Sequence, residues 1–180
     1  MSNLRLLNNT TITSGVSTVK IEDVFSSDFN VYKIVTNGIS TVGTNQTDPN
    51  FRFINSTGNV VLGQVSGGGY NYAHKIMRSD SGYTQQRETD ENQFYRFFGE
   101  GIDQAPETQS SIAYIFNPYS HAYTLVYYQS MASAAALHLS MAGIGALRLR
   151  AKMTGFQLID ANGSRPFSGG NIKTYGLRVD

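Results

Sequence analysis

The chain contains no cysteine and no tryptophan, and only 4 of its 180 residues are proline. Without cysteine, neither a disulfide framework nor a thiolate metal site is open to it. Charge is scarce too. Asp, Glu, Lys and Arg make up 15% of residues, against an average of about 25%, and they balance to a formal +1. A chain this close to neutral is not drawn by bulk charge to nucleic acid or to an anionic membrane. No stretch approaches the ~20 consecutive apolar residues of a membrane helix, so membrane insertion is not expected. The first nine residues hold Arg5 as their only charge and lack the apolar run of roughly 7–15 residues that a secretory signal needs. Synthesis in a cytoplasm without export is the expectation.

What is present is a β texture. Apolar residues make up 40% of the chain, with 11 tyrosines and 10 phenylalanines. A chain of this length forms one domain and, at about 150 residues or more, buries roughly 70% of its unfolded surface. Residues 29–36 (FNVYKIVT) are apolar at most positions, as in a strand covered on both faces. Residues 51–55 and 60–62 flank Gly58-Asn59 and predict a hairpin. Residues 70–78, 111–117 and 123–129 repeat the pattern, the last two joined through Pro118, which cannot continue a central ladder. Residues 146–152 alternate Leu147 and Leu149 with Arg148, Arg150 and Lys152; strands at 156–159 and 172–179 close the chain. This series of short strands predicts an all-β fold: an antiparallel β-sandwich, jelly-roll-like, with at most one or two short helices. Residues 1–25 read as an N-terminal arm with the first short strands, and 26–180 as a single sandwich domain.

Two stretches depart from this pattern. Phe94, Phe97 and Phe98 have helical spacing within 90–98, with Asp90 placed to cap and Gly99 to terminate, which predicts a short helix. Residues 133–142 are Ala-rich, as in a helix, yet Leu137, Leu139 and Met141 alternate, as in a strand.

No motif gathers catalytic chemistry, and no enzyme or cofactor is expected. His74, His121 and His138 lack metal-ligand spacing. Glu100, Asp103 and Glu107 offer carboxylates for a glycosidase pair, or simply a solvated loop. Asp80, Glu88, Asp90 and Glu91 lack the EF-hand order of calcium ligands. Gly38 to Gly43 is one residue too long for a nucleophile elbow, and Gly67-Gly68-Gly69 is not followed by the Lys of a phosphate loop. The sequons at Asn8, Asn9, Asn45, Asn55 and Asn162 carry weight only in an exported chain. Arg148, Arg150 and Lys152 form a basic ladder, read either as a contact for an acidic glycan, phosphate or subunit or as the charged guard of an edge strand. Leu4, Leu6 and Leu7 form an apolar arm suited to strand addition on a neighbour. Tyr70, Tyr72, Tyr119, His121 and Tyr123 are candidate contacts for a glycan or partner, since a phenol ring joins an apolar face to a hydroxyl.

Residues 3–25 (NLRLLNNTTITSGVSTVKIEDVF), 28–35 (DFNVYKIV), 111–118 (SIAYIFNP) and 154–179 (TGFQLIDANGSRPFSGGNIKTYGLRV) resemble virion structural proteins of tailed phages, of the kind known from marine and cyanobacterial phages. The resemblance runs in order over nearly the whole chain and rests on structural motifs. It implies a β-sandwich module present in many copies on the virion, as head decoration, fibre or tail appendage. It further implies a homotrimer contacting other virion proteins and, in an adsorption role, a host-surface glycan. A polysaccharide hydrolase acting through Glu100, Asp103 or Glu107 is the lesser alternative.

Overall fold

The computed structural model describes residues 3–13, 15–42, 48–63, 69–100, 107–134, 137–160 and 165–178. Eleven strands are formed: β1 (Leu4–Thr11), β2 (Thr18–Ile21), β3 (Val31–Thr41), β4 (Pro49–Asn55), β5 (Tyr70–Arg78), β6 (Gly82–Glu91), β7 (Gln109–Phe116), β8 (Thr124–Ala134), β9 (Leu137–Leu147), β10 (Met153–Asp160) and β11 (Phe167–Leu177). They build a wide sheet in the order β1-β11-β3-β7-β8-β9-β5-β6 and a narrow one in the order β2-β10-β4. Every pairing is antiparallel. The fold is the all-β sandwich that the alternation predicts.

Period-two burial makes the core. In β5 the residues Tyr70, Tyr72, His74 and Ile76 turn inward, and in β7 Ser111, Ala113 and Ile115 do so. The narrow sheet answers with Phe51, Phe53, Phe156 and Leu158, all without measurable exposure. Phe51 is the hub. Its ring lies 4.5 Å from Phe97, 4.9 Å from Phe53, 5.2 Å from Phe156 and 5.8 Å from Phe98. Each ring so buried contributes about 1.5–3 kcal/mol by transfer from water, and edge-to-face or offset pairs add roughly 0.5–1.5 kcal/mol.

Three details differ from the sequence expectations or decide between them. Residues 94–98 form a bridge and turns rather than a helix, because Arg96 takes φ +54°, which no α-helix accommodates. Among the described residues there is no helix. Of the stretch 133–142, residues 133–134 end β8 and residues 137–142 begin β9, with Leu139 and Met141 buried on alternate positions. The hairpin expected at 51–62 reduces to β4 and a single bridge between Ile54 and Val60. Its turn is held by the Asn55 side-chain carbonyl, which accepts from the Thr57 and Asn59 amides at 3.0 Å each.

Candidate functional site: the outer face of the wide sheet

The narrow sheet covers only one face of the wide one. On the opposite face, β7, β8 and β9 turn Ile112, Leu125, Tyr127, Met131 and Ile144 outward, with Met77 beside them on β5. Met131 is 69% exposed and Ile144 61%. Register aligns these side chains in rows across the strands. One row runs Leu6, Tyr175, Lys33, Tyr114, Tyr127, Ile144 and Ala73. The next but one ends Ser110, Met131, Ser140, Met77 and Tyr83.

The face is concave along β9, where outward positions hold the small residues Ser140, Ala142 and Ala146. Three depressions of about 690, 500 and 610 Å³ lie along this floor and share lining residues. Ala142 belongs to the first two, and Ala73 and Ile144 to the first and third. Charge over the middle of this face is of one sign, and the carboxylate at its β6 edge, Asp90, is paired with Arg148. The outward positions of β3, β5, β7, β8, β9 and β11 include Lys33, Lys75 and Lys173 and no carboxylate, and Arg87 on β6 stands opposite Ala73. Lys75 lies 4.0 Å from the centre of the exposed Tyr83 ring, and Lys33 lies 6.0 Å from that of Tyr114. Exposed apolar side chains so clustered are uncommon on a protein surface.

The predicted arm joins this face. Leu4 and Leu6 pair with Leu177 and Tyr175 and point outward, whereas Leu7 packs on the core beyond a bulge. The alternation of β8 (TLVYYQSM) carries apolar residues in both phases, which suggests burial on both faces; the structure covers only one.

The basic ladder and two of the predicted tyrosines come together elsewhere. β9 ends at Leu147, so residues 148–152 belong to no strand and bend at Ala151, contrary to the sequence expectation. The Met153 amide donates to the Pro118 carbonyl at 2.8 Å and holds the 117–123 loop alongside. Arg150 then lies 5.5 Å from the Tyr123 ring and Lys152 4.8 Å from the Tyr119 ring, with His121 exposed between the two tyrosines in sequence. Arg148 is turned instead to Asp90, 3.3 Å away.

Tyr70 and Tyr72 are not surface contacts. Both are core residues on the inward phase of β5, at 0% and 4% exposure. The Tyr70 hydroxyl donates to the Val61 carbonyl and accepts from the Phe53 amide, each at 2.9 Å, and burial raises its pKa.

A second, polar cluster occupies the inner side of β5. His74 Nδ1 is 3.1 Å from the Tyr128 hydroxyl, and burial followed by the nearby Arg96 charge lowers the His74 pKa. Arg96 pairs with Asp48 at 2.9 Å and with Glu100 at 3.0 Å, while Arg78 approaches Glu100 at 3.6 Å. Glu100 is therefore a clamped structural carboxylate that ties the 94–100 segment to β5. Its candidate partner Asp103 lies outside the described residues, as do Gly43, Asn45, Gly67, Gly68 and Asn162. Among the described residues, no three His, Asp or Glu side chains gather as a metal site would require. No described helix is long and apolar enough to cross a membrane.

Compared with family models, curated proteins and solved structures, the chain matches none.

Proposed function

We propose that the protein is a structural component of a tailed-phage virion, present in many copies, assembled as a trimer and acting through protein–protein contacts. The observation that supports this reading best is the bare outer face of the wide sheet, where Leu125, Tyr127, Met131 and Ile144 stand exposed over three joined depressions. Exposing that much apolar surface costs solubility unless another protein covers it, and repeated contacts on a particle provide such cover. The sequence resemblance supplies the setting: a virion module made in the host cytoplasm and carried on the particle as decoration, fibre or tail appendage. Mass spectrometry of purified particles and light scattering of the isolated protein test it together. Detection in the particles and a sharp trimer mass are expected; a stable monomer absent from particles overturns the reading.

A second reading is favoured by the strip of Tyr119, Lys152, Tyr123 and Arg150. Rings alternating with cations suit an acidic host-surface glycan, whose carboxylate meets the cations while a sugar ring lies on the exposed Tyr123. On a glycan array, retention of acidic but not neutral glycans is expected, with loss in the Tyr123→Ala and Arg150→Gln variants. An array without hits removes this reading and leaves the structural one standing.

A further inference from the structure

The cations on the outer face restrict what can cover it. Lys33 and Lys173 lie on one side of the central strands, and Lys75 and Arg87 on the other. Stacking this face on itself about a two-fold axis opposes each cationic flank either to its own copy or to the other flank. Both arrangements bring like charges together across a desolvated contact, which costs several kcal/mol. An apolar surface that carries carboxylates complements this face best.

The same chain carries such a surface. β6 is the edge strand of the wide sheet, and none of its residues is buried. Its inner side turns Thr84, Gln86 and Glu88 opposite Ile76, His74 and Tyr72. Glu91 follows, with Gly63 packed against its carbonyl, which places the half-exposed Leu62 next to it. Glu88 and Glu91 stand opposite Tyr72 and Tyr70, both on the inward phase of β5, so the two carboxylates share one side of the edge strand, and Tyr95 farther along the chain is exposed. The result is an edge flank with two partly exposed carboxylates on one side and the exposed Leu62 and Tyr95 on the adjoining segments, opposite in charge to the lysines of the outer face.

We propose that the outer face of one copy receives the β6 flank of the next, Glu88 and Glu91 meeting Lys75, Lys33 or Lys173 around an apolar centre at Ile144 and Met131. The contact joins different patches of identical chains, so it is heterologous and closes into a ring when the rotation per subunit divides a full turn. This inference rests on the multi-copy structural reading and specifies the surfaces that reading uses.

A mixture of natural-abundance and ¹⁵N-labelled chains, treated with a zero-length carbodiimide cross-linker and digested, tests it directly. Mixed-isotope cross-links from Lys33, Lys75 or Lys173 to Glu88 or Glu91 are expected, and Ile144→Glu abolishes them and returns the mass in light scattering to that of a monomer. Lys75→Glu weakens association about ten-fold, the equivalent of roughly 1.4 kcal/mol, and combining it with Glu88→Lys restores the affinity. All of these side chains are at least partly exposed, so circular dichroism of the variants matches the parent. An oligomer whose intermolecular cross-links lie elsewhere, or one unaffected by Ile144→Glu, overturns the inference. A chain that is monomeric in solution yet abundant in purified particles also overturns it, and with it the trimer, while the role on the particle stands. A monomer absent from particles overturns both.

Discussion

Phe51 and Phe94 exchange both of their backbone hydrogen bonds, each amide donating to the other's carbonyl at 3.0 Å. This single bridge fastens the irregular 92–99 segment to β4 and carries Phe94, Phe97 and Phe98 into the space between the sheets. The narrow sheet has three strands against eight, so these rings take the place of a missing fourth strand over β5. The Phe94 ring lies 4.8 Å from Tyr70 and 5.4 Å from Phe97, both within aromatic contact.

Phe94→Ala therefore opens a cavity at the junction of both sheets. Truncation of a fully buried Phe costs about 3–5 kcal/mol, and Phe94 has no exposure. The urea midpoint should fall accordingly. A loss below about 1 kcal/mol would show that the segment is not part of the core.

Tyr70 and Tyr72 are two residues apart on the same face of β5 yet predict opposite outcomes on losing their hydroxyls. Tyr70→Phe removes one hydroxyl that satisfies both the Val61 carbonyl and the Phe53 amide. Leaving such buried groups unpaired costs about 1–3 kcal/mol. The Tyr72 hydroxyl is buried with no hydrogen-bond partner among the described residues, so Tyr72→Phe should be neutral or stabilising. Thermal melts of the two variants decide the matter, and equal losses would refute it.

That pair also shows where sequence reading stopped. The alternation of Tyr70, Tyr72, His74 and Ile76 announces a strand with one buried face, and the structure has it. Whether a tyrosine faces solvent or core depends on which phase the other sheet covers, and the covering groups, Phe53 and Val61, come from β4 and the loop after it. The exposed outer face eluded recognition for a related reason. In β8 both phases are apolar, a pattern shared by a strand with two covered faces and one awaiting a partner. The spacing of Phe94, Phe97 and Phe98 matches a helix, but bridging to Phe51 and a left-handed Arg96 override it. Arg150 and Lys152 were legible as a basic pair; their meeting with Tyr123 and Tyr119 depends on one bond between Met153 and Pro118.

Gly155 on β10 packs directly against the backbone at the end of β2. A Cβ at this position would press on the Ile21 carbonyl and lie 3.0 Å from Glu22 Cα, both backbone atoms that cannot turn aside. At Gly169 in β11 the nearest atom to such a Cβ is Ser40 Oγ at 3.5 Å, an ordinary contact. Gly155→Ala should lower stability by about 1–3 kcal/mol, as overpacking does, whereas Gly169→Ala should stay within about 0.5 kcal/mol. Chemical denaturation of both variants provides the comparison, and a tolerant Gly155 would mean that the two strands separate easily.

His74 makes stability depend on pH in a definite direction. Burial and the Arg96 charge hold its folded pKa below the ordinary 6.5, against weaker opposing effects of Gln86 and Asp48. Its ring also lies over Tyr72, at 5.6 Å between centroids, and bonds to Tyr128. Because the unfolded chain takes up the proton first, the unfolded state binds more protons between the two pKa values, and stability rises with pH across that window. The contribution is therefore fully present above pH 6.5 and declines as the pH falls through 6.5 toward the lowered folded pKa. His74→Gln removes this titration while keeping a polar group near the Tyr128 hydroxyl. Urea midpoints at pH 8 and pH 5 should show a larger acid loss for the parent than for the variant, although carboxylates titrate in both. Parallel losses would mean that His74 accepts a proton in the folded protein as readily as in water, and that its burial against Arg96 is not maintained in solution.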